Sequence, residues 1–105
     1  MTSVSIRRRL PQRRASETFD VEAQGLKFTA TVSRFADGSV AEIFMCNCKA
    51  GSMAEINAQD AAVICSIALQ HGVSLEVIRR ALMRDAQGRA SGPLGTALDE
   101  IAGST

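Results

Sequence analysis

Two stretches in which apolar and polar residues alternate, joined by a turn signal, constrain this chain most. In Glu17–Ala23, Phe19, Val21 and Ala23 fall on one side and Thr18, Asp20 and Glu22 on the other. In Leu26–Phe35, Leu26, Phe28, Ala30 and Val32 alternate with Lys27, Thr29, Thr31 and Ser33. Period two is the signature of a strand with one buried face. Gln24-Gly25 separates the two, and Asp37-Gly38 follows the second, a dipeptide suited to the positive φ angles of a tight hairpin. A third strand, Val40–Cys48, sets Ala41, Ile43 and Met45 on one face and Val40, Phe44, Cys46 and Cys48 on the other. A strand apolar on both faces predicts cover on both faces. A second subunit is the expected cover, which makes Ile43, Phe44 and Met45 the expected oligomer interface; the alternative is that Leu10-Pro11 of the N-terminal segment, or a helix carrying Leu94, Leu98 and Ile101, folds over the second face within one chain.

After the strands the period changes. Ser52 and Glu55 form the S-x-x-E capping box, in which each side chain satisfies a backbone N–H of the first helical turn. The helix they start is expected to reach about His71, with Gly72 as its stop. Its second half, AAVICSIAL, is apolar nearly all round, which predicts the central core helix. Ser74 caps a second helix with Leu75, Ile78 and Leu82 inward. Gln87–Gly92 reads as a loop, and Pro93 suits the first turn of a third helix patterned on Leu94, Ala97, Leu98 and Ile101. Strands followed by helices define an α+β domain: a three-stranded antiparallel meander with two to three helices packed on one face.

A chain of 105 residues, 46% of them hydrophobic, is one small domain able to bury a core. No run approaches the ~20 apolar residues of a membrane span. The N-terminal arginines lack the apolar stretch of a secretory signal, and three cysteines do not make a disulfide framework, so cytoplasm with reduced thiols is expected. The net charge of +1 hides an asymmetry. Residues 1–14 hold five arginines and no acid, whereas residues 15–105 hold seven basic and eleven acidic residues. The chain therefore divides into a basic arm, 1–15, and a mildly acidic domain, 16–105. Arg7, Arg8, Arg9, Arg13 and Arg14 are the candidate site for phosphate or for a partner, because the guanidinium fork matches phosphate oxygens. The arm has no aromatic residue for base stacking. Leu10-Pro11 gives it an apolar anchor.

Other candidates have plainer readings. Cys46 and Cys48 share a strand face, but a structural zinc site pairs such a motif with a second one or with histidines, and this chain has one histidine. Cys46, Cys48 and Cys65 are expected as buried, reduced, metal-free thiols. His71 suits the negative end of the first helix. Arg79, Arg80 and Arg84 read as a solvated helix face. No catalytic residue is assigned.

Several segments taken together resemble the TSCPD domain of cobalamin-dependent (class II) ribonucleotide reductases, which also occurs as small stand-alone proteins. They are RRRLPQRRASET, RFADGSVAEIFMCNCKAGS and AAVICSIALQHGVSLEVIRRAL, within residues 7–84. The literal Thr-Ser-Cys-Pro-Asp string is absent, so no cysteine role is carried over. The resemblance implies an accessory or regulatory module of deoxyribonucleotide metabolism. It would bind a partner, nucleotide or nucleic acid through its arginines and would not be catalytic alone. The alternatives are a non-catalytic subunit of a split ribonucleoside-diphosphate reductase and a self-associating structural module. Reductase chemistry needs a large barrel, a thiyl-forming cysteine and a redox pair, which this chain cannot house. No cofactor is expected in it, and cobalamin would enter only through a partner reductase.

Overall fold

A computed structural model of the protein describes residues 16–47 and 51–103. Strands β1 (Ser16–Ala23), β2 (Leu26–Arg34) and β3 (Val40–Asn47) form one antiparallel sheet in that order. Helices α1 (Met53–Gln70), α2 (Leu75–Ala81) and α3 (Pro93–Gly103) follow. The fold is α+β, as the order of periodicities predicts.

The β1–β2 register pairs Phe19 with Ala30 and Val21 with Phe28. It is set by a two-residue turn in which Gln24 (φ 54°) and Gly25 (φ 76°) are both left-handed. That twist matches the flanking strands. The second connection is looser than Asp37-Gly38 suggests. Only Gly38 is left-handed, at φ 90°. Phe35 N–H donates to the Ser39 carbonyl at 2.8 Å, and the Asp37 carboxylate accepts from the Ser39 N–H and hydroxyl. Beside it the β2–β3 register slips between Ser33 and Arg34, so that Arg34 pairs with Val40 and Ala41 is the extra residue. The slip buries Val40, expected beside Phe44.

The core lies on one face of the sheet. Val21, Phe28, Ala30, Val32, Ile43 and Met45 pack against Ala58, Ala62, Cys65 and Leu69 of α1 and against Leu94, Ala97, Leu98 and Ile101 of α3. Helix α1 lies along β3 and α3 along β1. Leu75, Ile78 and Leu82 are half-buried at the margin of this core, as their spacing predicts.

The helix ends follow their local chemistry. Ser52 Oγ accepts from the Glu55 N–H at 3.2 Å, while Glu55 Oε1 reaches back to the Gly51 N–H at 3.0 Å. Gly72 (φ 93°) stops α1. The N–H of Val73 donates to the Ala68 carbonyl and that of Gly72 to the Leu69 carbonyl, which satisfies the last carbonyls of the helix.

Two expectations are corrected here. Helix α1 is not central: its Met53, Ile56, Val63, Ile64 and Ile67 are exposed. Strand β3 is not covered alike on both faces: Ile43 and Met45 are buried by α1, while Phe44 (53% exposed) and Cys46 face outward.

Candidate functional site

Arg7, Arg8, Arg9, Arg13 and Arg14, the residues proposed for phosphate or partner contact, lie outside the described residues, as does Cys48. The domain they precede is described for residues 16–47 and 51–103, and its arginines there are paired with carboxylates of the same chain. Arg34 Nη2 lies 3.0 Å from Glu17 at the start of β1, and its Nη1 donates to the Gly38 carbonyl. Arg80 Nε lies 2.8 Å from Glu76, one helical turn away. Arg89 stands 3.9 Å from Asp85, whose carboxylate also accepts from the N–H groups of Gln87 and Arg89. Those two backbone hydrogen bonds, Arg89's first, hold the Asp85 carboxyl below its ordinary range.

The densest cluster is centred on Asp99 of α3. Arg84 donates to both its oxygens, at 2.7 and 2.9 Å, and Arg79 of α2 donates to Oδ1 at 3.0 Å. Arg79 also reaches Glu76. Hydrogen bonding from Arg84 lowers the Asp99 pKa, and the same contact raises that of Arg84. The cluster ties α2 and the loop after it to α3, so Arg79 and Arg84 are structural clamps rather than the freely solvated face expected of them. Arg84 Nη1 also donates to the Gly88 carbonyl, which fixes the loop. Sequence spacing carries no signal for this node, because Asp99 is fifteen residues from Arg84 and is brought to it only by the turn of the loop.

The expected oligomer interface divides. Ile43 and Met45 are core residues, fully used inside one chain, and Phe44 alone of the three is exposed. The thiols divide too. Cys65 is buried between α1 and the sheet, and burial pushes its pKa up to about 11, so it is an unreactive thiol. Cys46 is exposed, against expectation, because it shares the outward face with Phe44. No group of three or more metal-ligating side chains occurs among the described residues. His71 is the C-cap of α1, its backbone N–H shared between the carbonyls of Ile67 and Ala68.

One cavity, of about 350 Å³, opens where the β1–β2 turn, the first turns of α1 and the start of α3 meet. Ala23, Leu26, Phe28, Ala58, Leu82 and Leu94 give it apolar walls. The Gln24 amide at its rim donates to the Ser91 carbonyl at 3.0 Å, and so is committed to closing the fold. Its walls suit an apolar group and carry no charged side chain with which to grip phosphate. Among the described residues no helix is long and apolar enough to cross a membrane. Comparison with protein-family models, with curated proteins and with solved structures gives no match to this chain.

Proposed function

We propose that this chain is a small, stand-alone ribonucleotide-reductase-related module of deoxyribonucleotide metabolism, accessory or regulatory rather than catalytic by itself. It acts in the cytoplasm and holds a phosphate-bearing ligand through Arg7, Arg8, Arg9, Arg13 and Arg14. One observation supports this reading above the others. Each of the five arginines among the described residues is paired with a carboxylate of its own chain: Arg34 with Glu17, Arg79 and Arg84 with Asp99, Arg80 with Glu76, and Arg89 with Asp85. A guanidinium already bonded to a carboxylate is a poor grip for a second anion. The attraction for phosphate therefore falls to the arm, where five arginines stand in a sequence without an acid.

The test is fluorescence anisotropy with a labelled nucleoside triphosphate and with a short single-stranded oligonucleotide. The full chain should bind at low salt and lose affinity steeply between about 50 and 200 mM, as counterion release requires. Arg13→Ala with Arg14→Ala should weaken binding and lower the salt slope by about one for each arginine–phosphate pair removed. Affinity unchanged by salt and by both substitutions would overturn the reading.

A further inference from the structure

We infer that the outward face of the sheet is the seat of the chain's own N-terminal arm, with Leu10-Pro11 against Phe44 and with Arg13 and Arg14 among the carboxylates around it. The register fixes what this face presents. Ser16, Ser33 and Glu42 form the cross-strand row at the end where the arm joins β1. Thr18, Thr31 and Phe44 form the next row, and Asp20, Thr29 and Cys46 the one after it. These positions alternate with the core residues and so turn away from the helices.

Charge selects the arm as the occupant. The face carries Asp20, Glu22 and Glu42, and Lys27 is its one cation among the described residues. The arm carries five arginines and no acid. A second copy laid on this face by a two-fold axis would oppose the acidic patch to itself, because an isologous interface uses the same patch on both sides.

Reach selects it too. Four residues, Gln12 to Ala15, separate Pro11 from Ser16. A chain extends by at most about 3.5 Å per residue, which lets Pro11 lie up to about 17 Å from Ser16. Phe44 is two strands across and two residues along from Ser16. At about 4.8 Å per strand and about 3.3 Å per residue, that separation is about 12 Å. The arm therefore reaches Phe44 with slack to turn back over the sheet. A tether this short also holds the arm at an effective concentration of about a millimolar, so a weak contact suffices.

Burial agrees with both. Ser33 is the cross-strand partner of Ser16, and alternation turns it outward, yet it is only 4% exposed. The face is thus closed at that position, in the row the arm leaves from. Phe44, one row further on, is the large apolar side chain that stays open, at 53%. This seat does not rest on the phosphate reading. It gives the arm's arginines an anion within the chain, with which a phosphate-bearing ligand would have to compete.

Paramagnetic relaxation enhancement on the full chain, in buffer without phosphate, tests the seat separately from phosphate binding. A nitroxide is attached at Gln12→Cys in a chain that also carries Cys46→Ser and Cys48→Ser, with the buried Cys65 left in place. The amide signals of Thr31 and Phe44 should lose most of their intensity. Those of Ile64 and Met83, exposed on the helical side, should keep theirs. Salt at about 1 M, where the Debye length falls to about 3 Å, should restore much of the lost signal. Asp20→Asn with Glu42→Gln should do the same at low salt. Should the triple substitution not fold, Arg13→Ala with Arg14→Ala in the chain with its native cysteines should shift the Thr31 and Phe44 amide signals and leave Ile64 and Met83 unmoved. Broadening of Ile64 equal to that of Thr31, or none at Phe44, overturns the proposal. So does a loss indifferent to both salt and the charge substitutions. A loss that appears when spin-labelled chains are mixed with isotope-labelled chains lacking the nitroxide also overturns it, because the seat then takes the arm of a second copy.

Discussion

The Ser66 hydroxyl makes both backbone hydrogen bonds that Ile43 lacks. It accepts from the Ile43 N–H at 2.9 Å and donates to the Ile43 carbonyl at 3.0 Å. Among the described residues, strand β3 is an edge strand, paired only with β2. Alternate residues along it therefore turn their N–H and C=O groups away from the sheet. Helix α1 covers that edge with side chains: Gln70 Nε2 donates to the Ala41 carbonyl at 3.1 Å, and Glu55 accepts from the Asn47 N–H at 3.4 Å. The edge is closed to another strand by three polar side chains spaced along one helix. This closure leaves the β3 edge, from Ala41 to Asn47, without a row of free backbone groups for another strand to pair with.

Removing the Ser66 hydroxyl should reveal how much this closure contributes. Ser66→Ala leaves the buried N–H and C=O of Ile43 without partners. The expected loss is about 2 kcal/mol of unfolding free energy, within the range for an unsatisfied buried group. Urea denaturation followed by circular dichroism measures it. A loss below about 0.5 kcal/mol, the ordinary scale of a surface change, would mean that water reaches the edge.

The two described thiols should differ sharply in reactivity. Cys46 is exposed and Cys65 is buried with its pKa pushed up to about 11. At pH 8 only about one in a thousand Cys65 side chains is thiolate, even before access is considered. Alkylation followed by peptide mass spectrometry should label Cys46 first and Cys65 only on unfolding. There is a linked pH effect. A thiol whose folded pKa stands above its ordinary value of 9.0 stabilises the fold fully below that pH. The contribution is lost as pH rises toward 11. Cys65→Ala should flatten that alkaline decline in stability.

Asp99 has the opposite sign. The Arg84 guanidinium, followed by that of Arg79, holds its carboxyl below the ordinary 3.8. The stability it contributes is present above that value and is lost as pH falls through the folded pKa. Asp99→Asn should remove this acid-side dependence. It should also cost about 1–2 kcal/mol near neutrality, between the values for exposed ion pairs and for charge-assisted hydrogen bonds. Equilibrium unfolding at pH 7 and below pH 4 separates the two effects.

Gly95 tests the packing of α3. A Cβ there would stand 2.9 Å from the Ala90 Cβ and 3.7 Å from Leu82. Gly→Ala within a helix ordinarily gains about 1 kcal/mol. Gly95→Ala should instead lower the melting temperature, because the loop at Ala90 must yield. Adding Ala90→Gly should recover most of the loss. A melting temperature raised by Gly95→Ala alone would contradict this.

The local chemistry of this protein is legible in its sequence. Strand alternation, the turn at Gln24-Gly25, the Ser52 and Ser74 caps and the Gly72 stop all depend on residues within a few positions of one another. Local sterics and hydrogen bonding decide such features before any long-range contact exists. The inward set of α3 is readable for the same reason: Leu94, Ala97, Leu98 and Ile101 share one helical face. What the sequence leaves open is which apolar faces meet. Alternation marks Phe44 as opposite Ile43, and AAVICSIAL is apolar all round, but neither pattern says what covers them. The tertiary structure decides that α1 lies over Ile43 and Met45, turns Val63 and Ile64 outward and leaves Phe44 exposed. It also decides the Asp99 clamp and the Ser66 bridge, which join residues 15 to 23 positions apart. Hydrophobic burial has no direction of its own. Hydrogen bonds do have direction, and those of Ser66 to Ile43 and Gln70 to Ala41 are made only with this side of α1 toward β3.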